Sequence, residues 1–205
     1  MLDISLSLTA LVLASPLLAA IAVAVKASSS GPVLYRARRV GQAGRVFTLF
    51  KFRTMVVDSR QTGPAITRHE DPRVTRIGRF LRRTKLDELP QLVNTLIGNM
   101  SLVGPRPEDP EYVRLYSADQ RRVLNVKPGI TSAATMLHRD EEALLAGPDW
   151  ERRYRTEILP EKLRLELDYL SRRTLSGDVR ILAQTAAALL RHPARVRHRR
   201  TTWES

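Results

Sequence analysis

The sequence predicts an α+β chain that is mostly helical, and three observations predict it. An apolar run from Ile4 to Val25 has the length of a membrane helix. Two stretches rich in strand formers lie between residues 33 and 54, separated by turn residues, and read as one small β-hairpin. From Val74 onward apolar residues recur largely at helical spacing, interrupted by Gly and Pro. The expected divisions are a membrane helix with its connector over 1–30, a helical domain over 31–190 and a basic tail over 191–205.

The 205 residues suffice for one domain with a real core. With no cysteine, the chain has neither disulfides nor thiol chemistry. Its four histidines, at 69, 138, 192 and 198, show no His-x-x-x-His spacing, so a zinc-hydrolase helix finds no support. A formal net charge of +13 points to a polyanionic partner, whether nucleic acid, an anionic membrane surface or a phosphorylated substrate. Aromatics at 5% are thin for stacking on single-stranded bases.

Taken in order, the apolar run carries Asp3 and no Lys or Arg before it, which argues against a signal peptide, although Ala20-Ile21-Ala22 resembles a cleavage site. Ser15-Pro16 falls near its middle, where proline removes a backbone donor and a kink is expected. A bent spanning helix is the plain reading; a helix that dips into one leaflet and returns is the alternative. Lys26, Arg36, Arg38 and Arg39 follow, placing the bulk of the chain on the cytoplasmic side in either case.

Val33-Leu34-Tyr35 and Val46-Phe47-Thr48-Leu49-Phe50 form the hairpin around Gly41-Gln42-Ala43-Gly44, with Lys51 and Arg53 on one face by strand alternation. Residues 57–72 read as a loop. Val74, Ile77, Phe80 and Leu81 mark a helix with arginines on its other faces, where a lipid-headgroup or nucleic-acid surface competes with ordinary solvation. A second helix should start between Thr84 and Glu88 and run to about Ile97, with Asp87 at or near its N-cap. Glu111–Leu124, Leu159–Ser171 and Val179–Leu190 complete the helical reading, the last as core or as an interfacial helix, and the basic tail suits anionic lipid or solvent.

The chemistry concentrates at Leu86-Asp87-Glu88-Leu89-Pro90. Two adjacent carboxylates sit there among Arg76, Arg79, Arg82, Arg83 and Arg106. Helix capping is the ordinary reason for such a pair. The chemical alternatives are a nucleophile, an acid/base or a Mg²⁺ ligand, since one or two carboxylates plus substrate phosphate hold that ion. Arg106, between Pro105 and Pro107, has a restricted backbone suited to bidentate phosphate binding.

These residues carry a resemblance. Ser15-Pro16 in an apolar helix, Lys51-Phe52-Arg53-Thr54-Met55, Thr75 through Thr84, Leu86-Asp87-Glu88-Leu89-Pro90-Gln91-Leu92, Met100 through Pro107 and Pro128-Gly129-Ile130-Thr131 together resemble the bacterial sugar transferases. These are monotopic phosphoglycosyl transferases, and the likeness is most specific between residues 75 and 107. It implies transfer of a phosphosugar from a UDP-sugar to polyprenyl (undecaprenyl) phosphate with release of UMP, the initiating step of exopolysaccharide, O-antigen or glycan assembly.

By match, Asp87 is the nucleophile that forms a covalent phosphosugar intermediate, and Glu88 is the neighbouring acid associated with Mg²⁺. Lys51, Arg82, Arg106 and Arg139 match substrate-phosphate-binding residues. The family also implies a re-entrant helix with its vertex at Ser15-Pro16, and a catalytic domain with interfacial helices on the cytoplasmic face of the bacterial inner membrane. No nucleic-acid partner is implied, and a homodimer stays open. Where many members continue with Gly-x-Ala-Gln-Val-Asn-Gly-Arg-Asn, this chain has Ser132-Ala133-Ala134-Thr135-Met136-Leu137-His138-Arg139-Asp140, a departure bearing on nucleotide or sugar choice. The competing functions are a membrane-tethered basic protein that binds nucleic acid or anionic lipid without catalysis, and a metal-dependent phosphatase with an Asp nucleophile.

Overall fold

A computed structural model describes residues 2–56, 71–132, 134–135, 145, 147 and 149–190. Arg139, Glu141, Glu142 and the basic tail lie outside the described residues.

The apolar run forms one helix, α1 (Leu2–Ser28), unbroken across Pro16. Pro16 has no N–H to offer the carbonyl of Val12 one turn earlier, and the Ser15 hydroxyl donates to that oxygen instead at 2.8 Å. Twenty-seven residues at helical rise give about 40 Å of helix measured along its axis. Among the described residues this is the one helix long and apolar enough to cross a membrane. Yet the domain holds both of its ends. Near the start, Asp3 accepts a hydrogen bond from Ser101 Oγ at 2.7 Å. At the far end Ile21 and Val25 are buried against Phe52 and Leu81, and Arg53 donates to the Ser29 carbonyl at 2.8 Å.

The hairpin is as expected: β1 (Leu34–Val40) pairs antiparallel with β2 (Val46–Phe52), from Leu34↔Phe52 to Val40↔Val46. Strand β2 ends at Phe52, so Lys51 and Arg53 do not share one strand face. Lys51 reaches Glu88, whereas Arg53 turns to the exit of α1.

Helix α2 (Arg76–Thr84) begins at an N-cap, Thr75, whose hydroxyl accepts from Gly78 N at 2.9 Å. A Cβ on Gly78 would lie 2.0 Å from the Thr54 carbonyl oxygen, so only glycine lets α2 rest on the strand exit. The second expected helix is shorter than its sequence suggests. Leu86–Glu88 is a 3-10 turn, and α3 (Gln91–Leu96) starts only after Pro90. Proline tolerates a helix start but not a helix interior, which delays the helix past Asp87.

Asn94 in α3 substitutes for a third strand beside β2. Its carboxamide accepts from Phe50 N at 2.9 Å and donates to the Thr48 carbonyl at 2.7 Å. A second small sheet was not expected: β3 (Ser101–Val103) and β4 (Gly129–Thr131) pair in parallel, Ser101↔Gly129 and Val103↔Thr131. Their backbones continue in contact beyond the strands, because Gly104 and Gly129 carry no Cβ; one on Gly129 would stand 2.1 Å from Gly104 N.

The segment Glu111–Leu124 is not one helix. Helix α4 (Pro110–Val113) stops early, and Gln120–Asn125 is a separate 3-10 stretch. The break is local. Ser117 and Gln120 cap one another, Ser117 N donating to Gln120 Oε1 at 2.9 Å and Gln120 N to Ser117 Oγ at 3.2 Å.

Helix α5 (Trp150–Arg153) leads through a π turn (Tyr154–Ile158) into α6 (Leu159–Ser171), and α7 (Leu175–Leu190) follows. The π turn sits just before Pro160, which cannot donate to the preceding turn. The largest core cluster gathers Tyr112, Tyr116, Trp150, Tyr154 and Leu163, with the Tyr112 and Tyr154 rings edge to face at 5.0 Å.

Candidate active site

Four of the expected site residues meet at one place, brought there by three separate elements. Lys51 comes from β2, Asp87 and Glu88 from the 3-10 turn, and Arg106 from the loop after β3. The turn is set by Lys85, which takes a left-handed conformation (φ 59°) at the end of α2 and reverses the chain. Leu86 and Leu89 then pack against Phe52 and Leu81, anchoring the carboxylate pair between them.

Glu88 is the electrostatic centre. Lys51 Nζ lies 2.9 Å from Glu88 Oε1. The Arg106 guanidinium forks onto both oxygens, Nη1 to Oε2 at 3.2 Å and Nη2 to Oε1 at 2.5 Å. Burial opposes ionisation here, but Arg106 and Lys51 outweigh it and hold the Glu88 carboxyl well below the usual range. The Lys51 ammonium is pushed down by burial, against the pull of Glu88.

Asp87 is different. It is 6% exposed, and its Oδ1 is buried without a hydrogen-bond partner. Burial raises its carboxyl, with Lys51 and Arg82 drawing it the other way. An ionised, partly desolvated oxygen with no competing donor is a reactive oxygen. Arg82 donates from Nε to Thr54 Oγ1 at 2.9 Å, which fixes its direction at the inner side of α2. The expected placement of Asp87 at a helix N-terminus is not met, since α3 begins four residues later. The positive surroundings of Asp87 are side chains, not a helix dipole.

Among the described residues no group of three or more His, Asp and Glu is arranged to hold a metal by itself. A one-carboxylate Mg²⁺ site completed by substrate phosphate needs less, and the orphaned Asp87 Oδ1 fits it. Glu88, the acid that the family likeness associates with Mg²⁺, has both oxygens engaged by Arg106 and Lys51.

Behind the Arg106 loop lie residues that the sequence reading passed over. Glu108 accepts from the Tyr154 hydroxyl at 2.6 Å and stands 3.8 Å from Lys162 Nζ. Glu166 is 3% exposed, neither oxygen makes a well-formed hydrogen bond, and burial pushes its carboxyl up to about 7 against the pull of Ser132 and the Arg106 backbone. A signal for it existed. Leu159, Lys162, Leu163 and Glu166 are the buried residues of α6, so Glu166 is a carboxylate in an otherwise inward-facing helical stripe.

Comparison with known proteins gives a consistent result. The sequence profile described as "Bacterial sugar transferase" matches residues 1–192. A UDP-glucose:undecaprenyl-phosphate glucose-1-phosphate transferase of Xanthomonas campestris pv. campestris is 43% identical, covering 85% of this chain and 35% of the relative. A protein of the same description from Escherichia coli (strain K12) is 38% identical over 89% of this chain and 38% of its own length. An undecaprenyl-phosphate galactose phosphotransferase of Salmonella typhimurium is 36% identical over 92% of this chain and 40% of its own. The chain therefore spans between a third and two fifths of these relatives.

Proposed function

The chain belongs to the bacterial sugar transferase family, and from that premise we propose that it is a phosphoglycosyl transferase acting at the bacterial inner membrane. It moves a sugar phosphate from a UDP-sugar to undecaprenyl phosphate, the opening step in building a surface polysaccharide or glycan. The observation that carries this reading is the buried, unpartnered Asp87 Oδ1 beside a Glu88 neutralised by Lys51 and Arg106.

An Asp87 oxygen attacks the sugar-bearing phosphorus, the bond from that phosphorus to the bridging oxygen breaks, and UMP leaves. An oxygen of undecaprenyl phosphate then attacks the same phosphorus, freeing Asp87 and giving the lipid diphosphate sugar. Both steps bring an anion onto an anion, so the cations decide the rate. Arg106 and Lys51 bear on the diphosphate by exchanging Glu88 for phosphate oxygens, and Arg82, pinned by Thr54, meets it from α2. Glu88 keeps those two cations in place between turnovers. Asp87 would hold a Mg²⁺ ion through its unpartnered Oδ1, and the ion would supply charge neutralisation of the diphosphate. Arg139 is assigned to substrate phosphate from the family match.

Both ends of α1 are tied to one domain, by Asp3 to Ser101 and by Arg53 to Ser29, which supports a helix that enters and leaves by the cytoplasmic face. The test of the chemistry uses Mg²⁺ and a panel of UDP-sugars without lipid acceptor. About one UMP per site should be released before a stall, with a sugar-phosphate mass on the peptide containing Asp87. UMP formation only when both substrates are present, with no adduct, would mean direct transfer.

A further inference from the structure

We propose that the outer face of α2 docks on anionic phospholipid headgroups; that this docking sets the height of the Asp87–Glu88 site above the bilayer rests on the transferase reading just given. Arg76, Phe80 and Arg83 stand at i, i+4 and i+7 with Arg79 between them, so four side chains share one face. All four are exposed, Phe80 at 52%. Among the described residues no carboxylate pairs with Arg76, Arg79 or Arg83. Three unopposed guanidinium groups around an exposed ring form a surface that water alone serves poorly.

The helix cannot roll to hide that face. Ile77 and Leu81 are packed on Leu18 and Ile21 of α1, and Gly78 lies against the Thr54 backbone. Its packing partner names the neighbouring medium. α1 leaves Leu13 76% and Val23 70% exposed, and such side chains belong in lipid. The cationic face and the bilayer are therefore adjacent. Guanidinium groups reach lipid phosphate while the Phe80 ring enters the boundary beneath the headgroups. Nucleic acid would meet the same charge, but an apolar helix at the base of the surface favours lipid.

The inner face of the same helix carries Arg82, and its end turns through Lys85 into Asp87. Grip on the headgroups thus fixes where the acceptor's phosphate must arrive.

The native chain has no cysteine, so Phe80→Cys and, as a remote control, Ser117→Cys each give a single labelling site. The labelled full-length chains go into lipid nanodiscs of phosphatidylcholine with or without phosphatidylglycerol, doped with a lipid-borne quencher. Strong quenching at position 80, little at 117, and loss of most quenching when Arg76, Arg79 and Arg83 are all changed to Gln would bear the proposal out. An unquenched label at 80, or quenching indifferent to the triple change, overturns it in favour of solvent or a macromolecular partner. Transfer activity is measured in parallel in neutral detergent, where the triple variant should match the parent. Quenching without any transfer by the parent would sink the transferase reading and leave the docking surface standing.

Discussion

Asp3 accepts a hydrogen bond from the hydroxyl of Ser101 at 2.7 Å, although 98 residues separate them. That bond holds the first turn of α1 to the same domain that receives Ser29 at the other end through Arg53. On the re-entrant reading proposed above, these two ties keep both ends of α1 on the side of the bilayer where the domain lies. Tags at both termini should therefore resist external protease in intact cells. Combining Asp3→Ala with Pro16→Leu removes the tether and restores a continuous N–H ladder. A fraction of that variant should expose its N-terminus, and complete protection would show that neither residue governs topology.

Loss of the Arg106 fork has a different cost. With Arg106→Ala, turnover should fall by roughly 10²–10³, the usual effect of deleting one preorganised charge at a reacting centre. Arg106→Lys should recover only part, because a compact ammonium lacks the planar two-pronged fork of the guanidinium. Arg82→Ala should act similarly, while Thr54→Ala, which frees the Arg82 Nε contact, should cost less than either. Initial rates at saturating UDP-sugar check the order; full activity in Arg106→Ala would reduce the fork to surface charge.

The difference between what the chain announces and what it conceals is one of range. The hairpin and Asp87-Glu88 with flanking arginines are local patterns, and they were legible. Family likeness assigns Lys51, Glu88 and Arg106 to one site, but the closing of both cations on Glu88 was not legible, since no spacing rule joins residues 51, 88 and 106. The β3–β4 pair was hidden because three-residue parallel strands have no periodicity to read. Asp87 was misplaced at a helix start because Pro90 and the left-handed Lys85 together shorten the helix, and φ at Lys85 follows from packing. Glu166 is hard to read from sequence because its identity is acidic, while its position in the α6 stripe is that of a core residue.

Glu166 yields a pH prediction. Burial raises its folded value to about 7, above the ordinary 4.5 of an unfolded chain. The group therefore favours the fold most below about 4.5, and that contribution is lost as pH rises through about 7. Glu166→Gln keeps the shape and removes the titration. Its melting temperature in detergent should exceed that of the parent at pH 8.5, and the gap should shrink at pH 5.5. A gap of equal size at both values would mean that Glu166 does not ionise in this range.

The last prediction separates the two members of the acidic pair. Glu88 occupies Lys51 and Arg106, so Glu88→Gln withdraws the anion that competes with substrate phosphate for both. Binding of the UDP-sugar should then be kept or tightened. Turnover should still fall steeply, because without Glu88 nothing returns the two cations to a common position after UMP departs. Asp87→Asn changes the other variable: the cations keep their partner, yet the attacking oxygen is gone. That variant should bind the UDP-sugar near the parental affinity and release no UMP at all, even in a single turnover. Calorimetry with rapid-quench UMP measurement distinguishes them. A small UMP burst in Glu88→Gln and none in Asp87→Asn places the bond-forming atom on Asp87. The reverse pattern would move the nucleophile to Glu88 and require Lys51 and Arg106 to release it first.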